Sequence, residues 1–179
     1  MANFDKDTVK RVRHALVDAG VGDKVIELAE TVRSAADAAK ALGVEQGAIV
    51  KSAVFTVGNR YVLALVAGDR ECSEAQLPRI FNLQGQVVRP PADLVRAVTG
   101  FTPAGVSGGV APVGLIAKLP VTLDASLKRF DKVYVAAGHS HCMFETSIAE
   151  LKTLTGGLVS YAVAQPTGGV AGGAAKPKA

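Results

Sequence analysis

Three short stretches of this 179-residue chain carry residue types that could do chemistry. The first is G-V-S-G-G-V-A-P-V-G, Gly105 to Gly114, which is rich in glycine and has one polar side chain, Ser107. Such a segment bares backbone N–H groups, which donate to a phosphate, a carbonyl or a developing oxyanion. Its spacing fits neither G-x-x-x-x-G-K-[ST] nor G-x-G-x-x-G, and a wide turn between sheet edges is the competing reading. The second is Lys51, set inside I-V-K-S-A-V-F-T-V with apolar residues on both sides. A lysine there either reaches water at a strand edge or faces a cleft where it meets an anion. The third is His139-Ser140-His141-Cys142. Zinc needs three or four ligands, and His14 and Cys72 are the only other histidine and cysteine, so no metal and no other cofactor is expected. Cys142 with His139 or His141 would be a thiol–imidazole pair; a polar strand-end turn beside a pocket, with His141 orienting a substrate, is the simpler reading.

Elements must hold these groups in place. Asp7 is expected to cap a first helix whose stripe is Val9, Val12, Leu16 and Val17, with Gly20 as its stop and Lys10, Arg11, Arg13 and His14 on the other faces. Lys24 to Leu28 reads as a strand, and S-A-A-D at Ser34 opens a helix that ends at Gly43. Two dense runs of β-formers flank Gly58-Asn59, a hairpin signal, and their near-continuous hydrophobicity predicts a sheet covered on both faces. Asp69 to Glu71 reads as a solvated loop. Ser73 reads as the start of a helix limited by Pro78, and 92–99 as a short helix stopped at Gly100. Strands at 120–124, 132–137, 142–145 and 158–163 follow, with a helix at 147–155. The hairpin requires antiparallel pairing among interspersed helices, so the expected fold is α+β, a single domain with a mixed, curved sheet flanked by helices. That domain is expected over 1–165, with 166–179 a disordered Gly/Ala/Lys/Pro tail.

Composition narrows the classes. Hydrophobic residues make up 49% of the chain, enough for a core, and the formal charge of +4 is too mild to indicate a polybasic nucleic-acid surface. No apolar run approaches membrane-spanning length, and Met1-Ala-Asn-Phe-Asp has no secretory character. Two cysteines without C-x-x-C spacing fit a reducing cytoplasm. No Ser/His/Asp pattern, G-x-S-x-G, H-E-x-x-H or paired carboxylate stands out.

The order of the pieces adds more than any one of them. I-V-K-S-A-V-F (49–55), T-G-F followed by S-G-G-V-A-P-V-G (99–114), L-P-V-T-L-D (119–124) and V-Y-V-A-A-G (133–138) together resemble the YbaK/ProX family. Its members are free-standing aminoacyl-tRNA deacylases similar to the editing domain of bacterial prolyl-tRNA synthetase. The resemblance spans roughly residues 8–163 and implies a trans-editing hydrolase that cleaves the aminoacyl ester of mischarged tRNA, with a synthetase as a possible partner. It implies an active-site role for Lys51, which matches the family's lysine on the first long strand. Gly108, Gly109, Ala111 and Pro112 match its G-x-x-x-P loop, whose backbone positions the ester. The glycine turn after the late strand, with Gly138, His139 and His141, is implied to border the pocket, while Met143 stands where some relatives carry an acid. The alternative is a non-catalytic module of the same fold that binds tRNA or a synthetase.

Overall fold

The computed structural model describes residues 2–103 and 109–167; residues 104–108, Gly108 among them, and the 168–179 tail lie outside the described residues. The first helix, α1 (Asp7–Asp18), buries Val9, Val12 and Leu16 completely. Two expectations differ here. Asp7 is the first helical residue and Lys6 the N-cap, with no side-chain cap, and Val17 is 55% exposed because it lies one step off the buried stripe. β1 (Val25–Glu27) leads to α2 (Ala35–Leu42), capped by Ser34, whose hydroxyl accepts from the Asp37 N–H, and closed by left-handed Gly43.

The hairpin forms as expected from β2 (Val50–Val57) and β3 (Arg60–Ala67), with Val57 opposite Arg60 and Lys51 opposite Val66. Gly58 turns the corner at φ 62°, and a Cβ there would lie 2.7 Å from the Gln84 carbonyl oxygen. After it comes β4 (Arg70–Cys72), where a solvated loop was expected. The helix α3 (Leu77–Phe81) starts later than Ser73, with Pro78 in its first turn, where a missing N–H costs nothing. β5 (Val87–Val88), α4 (Ala92–Thr99), β6 (Val121–Asp124), β7 (Val133–His139), β8 (Cys142–Thr146) and α5 (Ile148–Thr155) follow. The last expected strand divides into β9 (Leu158–Ser160) and β10 (Ala164–Pro166); β10 pairs antiparallel with β4, so Pro166, expected in the tail, belongs to a strand.

The fold is mixed α+β, with its strands distributed over three sheets. The largest runs β5-β2-β3-β6-β9, antiparallel across β5, β2 and β3 and parallel from β3 through β6 to β9. A second sheet, β1-β8-β7, stands beside it and is linked by a bridge between Ile49 and Tyr134. The large sheet is covered on both faces. Val54, Leu63, Leu65 and Leu123 face a core with α1 and β7, while Phe55, Val62, Ala64 and Val66 face Leu77 and Val163. No helix among the described residues is long and apolar enough to cross a membrane.

Asp124 ties the strands together at one end. Only 2% exposed, it accepts from the Ala67 N–H at 3.1 Å and the Ser126 N–H at 2.9 Å, and Arg70 Nε lies 3.5 Å from its Oδ2. Asp124→Ala would orphan two backbone donors and leave a half-buried guanidinium without its counter-charge. An unfolding free energy lower by about 3 kcal/mol is expected, read as a lower denaturant midpoint at unchanged slope; a loss below about 1 kcal/mol would show that this carboxylate is not what joins the strands.

Candidate active site

A cavity of about 640 Å³ opens where β2 begins. Its floor is apolar, from Ala53, Ala64, Val66, Ala136 and Met143, and its rim carries Arg33 and Ser34 ahead of α2. Lys51, Glu71, Glu74 and Arg89 add further charge to that of Arg33, and Cys72 and Gly109 complete the wall. Lys51 and Ala53 contribute from one face of β2, and Val50 and Ser52 from the other, because the cavity wraps around that strand's outer edge.

That edge has a chemical consequence. β5 pairs with β2 only at Thr56 and Val57, and among the described residues no strand pairs with the edge from Val50 to Phe55. Peptide groups of an antiparallel strand point alternately toward and away from its partner. Leu63 and Ala67 donate away from β2, to the Pro120 carbonyl and Asp124, so their partners Val54 and Val50 turn outward as well. Ser52, a cavity-lining residue, shares that phase, so its peptide N–H and C=O also turn away from β3.

Lys51 is half-buried and donates from Nζ to the Arg70 carbonyl on β4. Burial pulls its pKa below the ordinary lysine value, and the carboxylates of Glu71 and then Asp69 oppose that shift. The glycine loop comes in from the other side. Gly109 takes φ 90° at the cavity wall, and the Ser52 hydroxyl donates to the Val110 carbonyl, fixing the loop to β2. Ala111 lies buried behind the wall in the main core with Val110 and Val113, and Pro112 is buried beside them in sequence. The structure therefore brings Lys51 and Gly109 to one cavity, while Ala111 and Pro112 support it from within.

The turn at Gly138, His139 and His141 does not reach the cavity. Gly138 is required by packing, since a Cβ there would lie 2.8 Å from the backbone of Thr8 on α1. His139 and His141 stack with ring centroids 5.6 Å apart; the His141 N–H donates to His139 Nδ1, and His141 Nδ1 lies 3.0 Å from the Leu28 carbonyl oxygen. Burial lowers the pKa of His139, helped by neighbouring His141. The turn acts on segment 28–32 instead: Leu28 N–H donates to the His141 carbonyl and Val32 N–H to that of Ser140, which sets the chain just before the Arg33–Ser34 rim. Among the described residues no group of three or more metal-ligating side chains occurs.

Two contributors had weak signals in the sequence. Arg11 reads as a surface residue of α1, yet it ties the end of α4 at Gly100 to the last residue of the glycine segment, Gly114. Its Nη2 donates to the Gly100 carbonyl at 2.7 Å and its Nε to that of Gly114 at 3.1 Å, with the guanidinium 4.6 Å above the Phe101 ring. Met143, buried on β8, becomes cavity floor through the pairing of β8 with β7.

The sequence profile of the aminoacyl-tRNA editing domain matches residues 29–154, a span that contains every group lining this cavity. The chain belongs to the aminoacyl-tRNA editing domain family. A candidate Cys-tRNA(Pro)/Cys-tRNA(Cys) deacylase, EbsC of Enterococcus faecalis, is 29% identical over 126 residues, covering 69% of this chain and 73% of that protein. A proline–tRNA ligase of Pseudothermotoga lettingae is 36% identical over 115 residues, covering 63% of this chain and only 19% of that enzyme. The crystal structure of a candidate trans-editing enzyme for prolyl-tRNA synthetase superposes with a TM-score of 0.78 at 35% identity, covering 87% of this chain and 96% of that one. Within this editing domain the two cysteines are ill suited to nucleophilic attack. Burial pushes the Cys72 and Cys142 thiols each up to about 11. At pH 7 only about one thiol in ten thousand would then be ionised, too few for a reactive thiolate. Iodoacetamide alkylation, followed by mass spectrometry, should be slow at pH 7 and rise about tenfold per pH unit to above pH 10; rapid labelling of Cys142 at pH 7 would restore the thiol–imidazole reading.

Proposed function

We propose that this chain is a trans-acting hydrolase that deacylates mischarged tRNA, using a backbone-lined cavity and Lys51 to position the aminoacyl ester. The observation that carries this reading is the meeting of Lys51, the Gly109 backbone and the outward peptide groups of β2 around one cavity of about 640 Å³. That volume lies within the range of small-molecule sites and can take an amino acid with the ribose that carries it.

Among the described residues the cavity offers no free nucleophile. Its thiol is held protonated by burial, and the hydroxyls that line it there are those of Ser34, which caps α2, and Ser52, which is spent on the Val110 carbonyl. The substrate brings its own hydroxyl on the terminal ribose, next to the ester, and this hydroxyl can activate the attacking water. The protein then contributes orientation, which can supply a large part of the barrier reduction, and N–H donors aimed at the oxyanion. Gly109 and Ser52 are our candidates for those donors. Lys51 acts as a point charge toward the phosphate side of the terminal nucleotide. Gly108 is included with Gly109 on the strength of the sequence motif, and His139 and His141 are assigned an indirect role in setting the cavity rim. A cytoplasmic site of action and transient association with a synthetase follow from this reading.

Selection would rest on cavity size, since one methylene distinguishes ligands by only about 1–3 kcal/mol and a second, smaller site corrects what the first admits. Purified protein is expected to hydrolyse at least one of Ala-, Cys-, Ser- and Thr-tRNA, measured as loss of acid-precipitable label against the spontaneous rate. Lys51→Ala should lower that rate by at least about a hundredfold with little change in melting temperature, as expected for a half-exposed side chain whose role is positional. Gel-shift binding of tRNA without turnover on any of the four would replace this reading with a binding module.

A further inference from the structure

Two carboxylates line the cavity, and they differ in how they are used. Glu74 Oε2 accepts from Arg89 Nε at 3.2 Å, and the same guanidinium lies 4.9 Å from the Phe55 ring centroid, so Glu74 is committed to holding Arg89. The Glu71 carboxylate forms no hydrogen bond and no ion pair among the described residues, while the backbone pairs with Gln165 on β10. It sits on β4 between Arg70, whose carbonyl receives Lys51 Nζ, and Cys72 in the wall. Of all charges around Lys51, that of Glu71 acts on it most strongly. The cavity thus carries Lys51 and one uncommitted carboxylate above an apolar floor, with Arg33 at its rim and Arg89 already paired to Glu74.

That charge pattern matches a ligand with opposite charges at its two ends. An aminoacyl ester at the end of an RNA has an α-ammonium on one side of the ester carbonyl and a phosphodiester on the other. Lys51 repels the ammonium if nothing intervenes, at a cost that grows as water is displaced from the cavity. We infer that Glu71 receives the α-ammonium of the aminoacyl group, making it the residue that selects esters of free amino acids over N-acylated ones. The inference rests on the deacylase reading above and adds to it the part of the ligand that Glu71 binds. Lys51 faces the anionic end, Glu71 the cationic end, and the ester carbonyl lies between them, within reach of the Gly109 and Ser52 backbone.

The test uses the full chain with two probes, Ala-tRNA and N-acetyl-Ala-tRNA, each rate expressed relative to that substrate's spontaneous hydrolysis. The wild-type protein should favour the free amino ester by at least about tenfold, the scale of one charge-assisted hydrogen bond. Glu71→Gln should bring that preference close to one, and Glu71→Asp should keep part of it, with melting temperatures unchanged at this exposed position. A Glu71→Gln protein that loses activity equally on both probes would overturn the inference, because Glu71 would then act only through Lys51. A wild-type protein that does not distinguish the probes would overturn it as well. Absence of turnover on both probes and on Cys-, Ser- and Thr-tRNA would instead remove the deacylase reading on which it rests.

Discussion

The buried carboxylate of Asp124 is the contact on which the rest of the arrangement depends. It ends β6, yet its two oxygens serve the end of β3, the turn after β6 and the guanidinium of Arg70. A buried charge of this kind is tolerated only when donors converge on it, and here they come from three separate segments. Because Arg70 also donates to the Ala164 carbonyl, the same carboxylate bears on the small β4–β10 sheet. β4 in turn presents the Arg70 carbonyl that receives Lys51 Nζ. A chain of directed contacts therefore runs from the parallel end of the large sheet to the cation in the cavity.

The opposite wall is held by a different device. A glycine-rich segment has few side chains with which to fix itself, so its position has to be imposed from outside. Arg11 does this from Gly100, ahead of the segment, to Gly114 at its end, and Ser52 does it at Val110. Between these points Val110, Ala111 and Val113 are buried in the main core, so the described half of the segment is as much core as loop. Rigidity of this kind suits groups that act through the backbone, since a peptide N–H can stabilise developing charge only if it is already aimed.

The charge pattern of the cavity also follows from strand geometry. β2 has a covered inner edge and, over its first half, an outer edge that no described strand occupies. Lys51 faces one side of that strand and Ser52 the other, and a cavity wrapped around the edge reaches both. β4 then sets Glu71 beside the lysine, where its charge offsets the loss of hydration that lowers the lysine's proton affinity.

Much of this was legible in the sequence, for reasons that are local. The hairpin around Gly58, the helix opened by Ser34 and the stops at Gly43 and Gly100 depend on a few adjacent residues, and all four formed where expected. The lysine inside a run of β-formers marked its own oddity. Misreadings occurred where a partner far along the chain decides the outcome. Arg70 and Glu71 read as loop because they become a strand only by pairing with Pro166 and Gln165, while Asp69 stays in the turn before it. Arg11 reads as surface because its acceptors lie 89 and 103 residues away. The glycine turn at 138–141 shares a motif with the cavity elements, yet its glycine answers to the backbone of α1 and its histidines to the chain before α2. Most elements, the α+β class, the lysine and the glycine segment could be read along the chain, because each is written in contiguous residues. Which of them share a cavity, and that the Glu71 carboxylate stands uncommitted near Lys51, emerge only on folding, because those facts depend on strand register and on contacts between segments that the chain keeps far apart.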